Sequence, residues 1–185
     1  MRVTIERVMP GQREKIELIQ AYLVNHWHIS EEEAARHLAP HSTPGLPQSW
    51  VAVLPTHALV GHVMLALERD GFCGIKNQPW LQALFVQESL RMQGIGHTLV
   101  RIVEEACRRF GYRCIYLDTI REMHFYRNLG WEDIGTDVWV RGTERDAVTV
   151  MRKRLVDILN PSPKVIEALT NLNLPTGVTI DVKMI

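Results

Sequence analysis

The sequence predicts an α/β (α+β) fold in which a mixed sheet of about seven strands is flanked by helices. Three observations lead to this prediction. The chain has 185 residues, 46% hydrophobic and 23% charged, a composition typical of a globular domain with a substantial core. Its apolar residues recur with the period of a strand in some segments and of a helix in others. In the second half these segments alternate, which is typical of a partly parallel sheet.

The first quarter of the chain predicts one strand and two helices. Residues 3–8 alternate apolar and polar side chains as a half-buried strand does, and the pattern stops before a Pro-Gly pair. From 13 to 27 the apolar residues fall near the spacing of one helical face. Ser30, followed by three glutamates, is typical of a helix N-cap with an acidic first turn, so a second helix is expected to end before Pro40.

The middle of the chain predicts a hairpin, a third strand and a long helix. Two apolar runs, 50–54 and 59–67, are separated by a short turn and predict adjacent antiparallel strands. A buried strand follows at 81–86. Helical spacing from 99 to 110 then predicts a helix that Gly111 closes as a C-cap.

The closing elements are shorter. Residues 114–117 predict a buried strand, 123–129 a short helix ended by Gly130, and 138–140 with 147–151 a final strand pair. The predicted order of elements is therefore βααβββαβαββ.

The pattern changes after Leu155. A helix-like segment at 162–172 precedes residues 178–184, where apolar side chains alternate with polar ones. Such a stripe would stay in contact with water unless it joined a sheet. We therefore divide the chain into a domain at 1–155 and a C-terminal extension at 156–185, which is expected to pack on the domain or on a homodimer partner.

Composition excludes several classes of function. Lys and Arg number 21, as do Asp and Glu, so no global field attracts a nucleic acid or an anionic membrane. The three cysteines, Cys73, Cys107 and Cys114, have no metal-ligand or disulfide-framework spacing, and we expect no metal. No apolar run resembles a signal peptide or a membrane span. These observations predict a cytoplasmic protein without general nucleic-acid or membrane binding.

One segment carries recognisable chemistry. The predicted strand 81–86 leads through Arg91-Met92-Gln93-Gly94-Ile95-Gly96 into a helix that begins near His97. A glycine-containing turn at a helix N-terminus gathers unpaired backbone N–H groups and the positive end of the helix dipole. The segment therefore predicts an anion site. It lacks the GxGxxG of a dinucleotide-binding fold and the GK[ST] of a P-loop.

This segment resembles the pyrophosphate-binding motif [QR]xxGx[GA] of the GNAT superfamily, the acyl-CoA-dependent N-acyltransferases. The stretch from Phe125 to Trp131 is similar to a second family signature, FYxxLG[FW], and 146–155 resembles the last family strand. The resemblance covers residues 1–155. It implies a sheet that splays between its fourth and fifth strands to admit the pantetheine arm of acetyl-CoA.

The resemblance also implies which residues hold acetyl-CoA. The pantetheine would pair with backbone on the fourth strand by β-augmentation, and the pyrophosphate would rest on the glycine-containing turn. Asn128 is expected near the pantetheine or the adenine. The implied binding residues are Leu84, Phe85, Val86, Arg91, Met92, Gln93, Gly94, Ile95, Gly96, His97 and Asn128.

Acyl transfer needs a polarised thioester carbonyl, a neutral amine and a proton for the departing thiolate. By resemblance, backbone N–H groups of a bulge near Phe85 and Val86 polarise the carbonyl, and Tyr126 is the general acid. The start of the fourth strand lacks the glutamate that some relatives use as a base. Glu68 and Asp118 are the remaining candidates, although Asp118 could instead cap the loop after it. Water-relayed deprotonation is the third alternative.

The resemblance thus implies an N-acetyltransferase that moves an acetyl group from acetyl-CoA to a primary amine by direct transfer in a ternary complex. A small-molecule acceptor is expected. Two alternatives stay open: a catalytically silent acyl-CoA-binding regulatory module, and acetylation of a protein or aminoacyl-tRNA amine.

Overall fold

A computed structural model describes residues 2–9, 11–27, 29–38, 45–68, 74–141 and 144–155, together with 162–164 and 167. Its elements follow the predicted order, and the predicted class of about seven strands with flanking helices is confirmed. The strands are β1 (Thr4–Arg7), β2 (Gln48–Val53), β3 (Leu59–Glu68), β4 (Gln78–Val86), β5 (Cys114–Thr119), β6 (Glu132–Arg141) and β7 (Glu144–Arg154). The helices are α1 (Arg13–Trp27), α2 (Glu31–Leu38), α3 (Ile95–Arg109) and α4 (Met123–Arg127).

The chain divides into two compact units, Met1–Ile115 and Tyr116–Ile185. In the first unit, β1 to β4 are neighbours in sequence order, and each pair is antiparallel. The predicted hairpin is β2 and β3, with Trp50 opposite Val63. Short connections join β2 to β3 and β3 to β4 and favour antiparallel pairing, whereas α1 and α2 lie between β1 and β2 in the chain.

Helices cover both faces of this four-stranded part. Val51 belongs to a core cluster with residues of α1 and α2. The next residue, Ala52, lies on the side of α3: a Cβ built on Gly61 would be 3.2 Å from Ala52 Cβ and 3.2 Å from Leu99 Cδ1. Successive strand residues point to opposite faces, so α1 and α2 lie on one face and α3 on the other. The cluster under α1 and α2 consists of Val8, Ile19, Leu23, Ile29, Ala34, Leu38, Val51, Val53 and Ala83.

The second unit contains β5, α4, β6 and β7, with β7 between β5 and β6. The prediction for the last strand pair was wrong in extent, because it gave β6 only residues 138–140 and β7 only 147–151. The structure pairs Glu132 with Arg152 at one end of the ribbon and Arg141 with Glu144 at the other. The missed residues are mostly polar and exposed, so backbone pairing here carries no hydrophobic signal.

Several other predicted boundaries shift by two or three residues, among them the starts of α3 and β4. The helix α3 begins at Ile95, two residues before the predicted start, and β4 begins at Gln78. The C-terminal extension lies outside the described residues apart from 162–164 and 167, so its added strand stays a prediction, as do the splay and the domain boundary. No helix in the described parts of the chain is long and apolar enough to cross a membrane.

Gly61 gives a test of the packing between β3 and α3. A Cβ at this position would lie 3.1 Å from the Phe85 carbonyl oxygen and 3.2 Å from Leu99 Cδ1. Gly61→Val should lower the free energy of unfolding by about 1–3 kcal/mol through overpacking, measured by urea denaturation. Gly135→Val is the matched strand control, since nothing lies within 4 Å of its Cβ position. Equal losses in the two variants would contradict this account.

Candidate active site

The predicted anion site is a turn that joins β4 to α3. After β4 the chain forms one short 3-10 turn at Glu88–Leu90, anchored where the Gln87 N–H donates to the Val60 carbonyl at 2.8 Å. Met92 and Gly94 then take left-handed conformations, with φ of +61° and +79°. These two residues reverse the chain direction, so that α3 starts directly behind the turn. We call residues 91–97 the cradle.

The N-terminus of α3 offers backbone donors without a side-chain cap. Gly94 is the N-cap, and no side chain bonds the first turn from that position. Thr98 N–H closes the first helical bond, to the Gly94 carbonyl at 3.0 Å, so the N–H groups of residues 95–97 precede the helical ladder. Nothing lies within 4 Å of the point where a Gly94 Cβ would project. The cradle is therefore open and rich in donors, as an anion site requires.

Arg91 is held at the edge of the cradle. Its Nε–H donates to the Val86 carbonyl at 3.2 Å, which ties the guanidinium to the last residue of β4 while the side chain stays exposed. Met92, Gln93 and His97 are also exposed, whereas Ile95 buries its side chain and contributes backbone only. A planar guanidinium beside the donors of α3 suits a phosphate group.

A bulge interrupts β4 close to the cradle. Phe85 lies opposite His62 and Gln82 opposite Met64, so two residues, Ala83 and Leu84, face the single Val63 on β3. Ala83 has φ of +53°, a conformation that alanine seldom adopts. The bulge predicted near Phe85 and Val86 therefore lies slightly earlier, and the register on β3 gives Ala83 and Leu84 no partner.

A ring stack covers the end of β4, and no sequence pattern predicted it. Tyr22 of α1 lies over Phe85 with ring centroids 3.3 Å apart and an angle of 12° between the planes. Burial raises the pKa of the Tyr22 hydroxyl, and the charge of Arg91 opposes that rise. Tyr22 therefore lies near the cradle as well as on β4. Helical spacing had identified it only as a residue on an apolar helix face.

In the second unit, Tyr126 lies in an aromatic and acidic setting. Its ring is buried and makes edge contacts with Phe125 and Trp131, at centroid distances of 5.0 and 5.9 Å. Burial raises the pKa of its hydroxyl well above the usual value, and the charges of Asp118 and Glu122 raise it further. The phenol is therefore neutral at physiological pH, and the structure brings the predicted acid and Asp118 together.

The neighbour of Asp118 makes a local hydrogen bond in the loop after β5. Thr119 Oγ1 accepts the Glu122 N–H at 3.1 Å, immediately before α4. Asp118 itself is half-buried at the end of β5. Glu68 closes β3 opposite Gln78, and its side chain lies outside the described part of the structure. Asn128 is exposed, and its N–H donates to the His124 carbonyl at 3.1 Å after α4.

Comparisons with known proteins agree with this fold. The acetyltransferase (GNAT) family profile matches residues 14–131. Aminoglycoside 6'-acetyltransferase type Ii is 23% identical, with a TM-score of 0.65 over 84% of this chain and 99% of that one. A GNAT-family acetyltransferase from Staphylococcus aureus Mu50 is 22% identical, with a TM-score of 0.61 over 84% and 100%. Arabidopsis thaliana NAA60, crystallised with acetyl-CoA, is 15% identical, with a TM-score of 0.66 over 83% and 99%.

Gly94 provides a test of the cradle. Gly94→Ala places a methyl group where the ligand would approach, so we expect the dissociation constant of coenzyme A to rise at least about tenfold, or about 1.4 kcal/mol, in calorimetric titration. Gly111→Ala is the control, because Gly111 has nearly the same φ, +81°, and lies just beyond the other end of α3. Both variants should lose about 1 kcal/mol of stability, but only Gly94→Ala should lose affinity. Unchanged affinity in Gly94→Ala would refute the assignment.

Proposed function

Because this chain belongs to the GNAT acetyltransferase family and uses acetyl-CoA, we propose that it acetylates the primary amine of a small molecule by direct transfer in a ternary complex. The observation that carries this proposal is the open, uncapped start of α3 beside Arg91. It supplies a place for the pyrophosphate. The adjoining bulge on β4 supplies backbone groups for the thioester.

The proposed binding site for acetyl-CoA follows β4 into the cradle. Leu84, Phe85 and Val86 would pair with the pantetheine, and the cradle would hold the pyrophosphate by its backbone N–H groups and Arg91. The Val86 carbonyl already accepts from Arg91, so the pantetheine would share that oxygen or bond its neighbours. Asn128 is proposed as a contact from the second unit.

In the reaction, the amine nitrogen attacks the thioester carbonyl carbon, the carbon–sulfur bond breaks, and sulfur leaves as thiolate. The nitrogen loses one proton and the sulfur gains one, so no external oxidant or reductant is needed. Negative charge develops first on the carbonyl oxygen. Backbone N–H groups at the β4 bulge would stabilise that charge because they are fixed in place before the reaction.

Tyr126 is the proposed proton donor to sulfur. A phenol has a reference pKa of about 10 and a thiol about 8.5, and the surroundings of Tyr126 raise its pKa further. Complete transfer would leave a buried phenolate beside Asp118 and Glu122, which is unfavourable. The role that fits is a hydrogen bond from the Tyr126 hydroxyl to sulfur, which strengthens as negative charge develops there. The hydroxyl proton would transfer to sulfur only when a second proton reaches the phenol oxygen.

The base is proposed from three alternatives. Asp118 lies near Tyr126 at the end of β5, where a half-buried carboxylate could accept a proton from the incoming ammonium through water. Glu68 ends β3 in the other unit. A water relay without a single base needs neither residue. Thr119 makes one local hydrogen bond in this loop, and a local capping role for Asp118 stays the alternative to its role as base.

A small amine suits this chain better than a nucleic acid. The chain carries 21 basic and 21 acidic residues, so it has no excess positive charge to attract tRNA. Two aminoglycoside acetyltransferases of 19% and 23% identity share the fold.

We also propose a cytoplasmic location and a homodimer in which residues 178–184 add a strand.

Tyr126→Phe tests the proton donor. The substitution keeps the ring and removes the hydroxyl, so the turnover number should fall at least about tenfold. This minimum is smaller than the 10²–10⁴-fold rate contribution usual for a general acid, because water can replace the hydroxyl as a proton donor. The dissociation constant of acetyl-CoA should change less than about twofold. Tyr112→Phe, in the turn after α3, is the control and should behave as wild type. Turnover of Tyr126→Phe within about twofold of wild type would exclude the role.

The acceptor class is tested by thiol release from acetyl-CoA in the presence of aminoglycosides, polyamines, amino acids or peptides. We expect a small amine to give the highest kcat/KM. A peptide or aminoacyl-tRNA that exceeds every small amine would overturn the acceptor assignment.

Acetyl-CoA at about 100 times its dissociation constant should stabilise the fold by about 2.7 kcal/mol. That stabilisation without thiol release from any amine would instead indicate the silent binding module.

A further inference from the structure

The bulge on β4 is fixed by a buried histidine from the neighbouring strand. His62 lies on β3 with no exposed surface, and its Nδ1 is 3.0 Å from the Ala83 carbonyl oxygen. A carbonyl oxygen only accepts hydrogen bonds, so Nδ1 carries the proton. The contact crosses from one strand to the other at the point where the ladder between them is interrupted.

This hydrogen bond compensates for local strain. Ala83 holds φ of +53° in a bulge position where glycine is the usual residue. A non-glycine residue in that region is disfavoured by about 1–2 kcal/mol. The bond from His62 satisfies the Ala83 carbonyl, which the bulge removes from the regular pairing with β3. The imidazole is therefore placed to hold an unfavourable backbone conformation.

The consequence for catalysis follows from the planarity of the peptide group. The Ala83 carbonyl and the Leu84 N–H belong to one trans peptide, in which the C=O and N–H bonds point in opposite directions. When His62 holds the carbonyl oxygen, the Leu84 N–H must point away from His62. The same bulge leaves that N–H without a partner in the register on β3.

We propose that His62 is a positioning residue for acetyl transfer: by holding the Ala83 carbonyl, it aims the Leu84 N–H at the thioester oxygen of acetyl-CoA. This inference rests on the proposed binding of the thioester at the β4 bulge. His62 does not touch the reacting atoms. Its ring centroid lies 6.2 Å from that of Phe85, on which Tyr22 stacks.

Three substitutions separate positioning from packing. His62→Asn keeps an N–H donor at the Nδ1 position, His62→Gln moves the donor to the Nε2 position, and His62→Leu removes it. Met64→Leu is the control, since Met64 is the next buried residue on the same side of β3, opposite Gln82. A volume-conserving exchange there is tolerated.

The primary measurement is the infrared carbonyl stretch of acetyl-CoA labelled with ¹³C at the carbonyl, bound to each protein. Wild type, His62→Asn and Met64→Leu should lower the stretch relative to free acetyl-CoA, whereas His62→Gln and His62→Leu should bring it back toward the free value. Thiol release from acetyl-CoA without an added amine should fall at least about tenfold in His62→Gln and His62→Leu. This decrease is smaller than the 10²–10³-fold loss of rate that follows complete removal of an oxyanion donor. Coenzyme A affinity should stay within about twofold.

The outcomes distinguish this inference from the proposal beneath it. If wild type binds acetyl-CoA without lowering its carbonyl stretch, the bulge does not polarise the thioester and both proposals are wrong. If wild type lowers it and His62→Gln does so equally, His62 has no positioning role while the proposed site stands. Should His62→Leu fail to fold, the comparison of His62→Asn with His62→Gln still decides, and equal values for these two overturn the inference.

Discussion

The candidate active site depends on one departure from regular strand pairing, the bulge at Ala83 and Leu84 on β4. A regular β4 would alternate its backbone groups between β3 and its other edge in a fixed pattern. The bulge breaks that pattern at Ala83 and Leu84, which have no partner residue in the register on β3, and Ala83 takes a positive φ. Such a feature persists only where the surroundings over-determine it. Here Ala83 belongs to the core under α1 and α2, and His62 bonds its carbonyl.

The cradle follows the same physical logic a few residues later. Most helices satisfy their first N–H groups with a side-chain cap, whereas α3 begins at Gly94 without one. Met92 adds a second unfavourable backbone conformation, and its side chain is exposed. The rest of α3 offsets these local costs, because Leu99, Val100 and Val103 are fully buried. A well-packed helix thus carries a start that no side chain caps from the N-cap position, as the proposed pyrophosphate site requires.

How much the sequence could predict depends on the range of the interactions concerned. The cradle was predictable because its glycines and the helix after it are adjacent in the chain. Three features could not be predicted in this way: the place of the bulge, the bond from His62 and the Tyr22 stack. Each joins residues 18 or more positions apart, so no local sequence pattern indicates it. The lengths of β6 and β7 were missed because the residues beyond the predicted segments pair through backbone, and those with described side chains are mostly polar and exposed. The hydrogen bond that Thr119 Oγ1 accepts from the Glu122 N–H was not predicted, because only Asp118 had been considered for a local bond in this loop.

The net charge of the chain helped to predict its partners but did not indicate the anion site. Equal numbers of acidic and basic residues argue against a general attraction to polyanions. Yet the predicted anion site uses backbone dipoles at the start of α3, which no count of charged side chains includes. Near Tyr126 the opposite holds, since Asp118 and Glu122 place negative charge beside a neutral phenol. Backbone donors at the start of α3 therefore suit an anionic group, whereas the carboxylates near Tyr126 suit a cationic one.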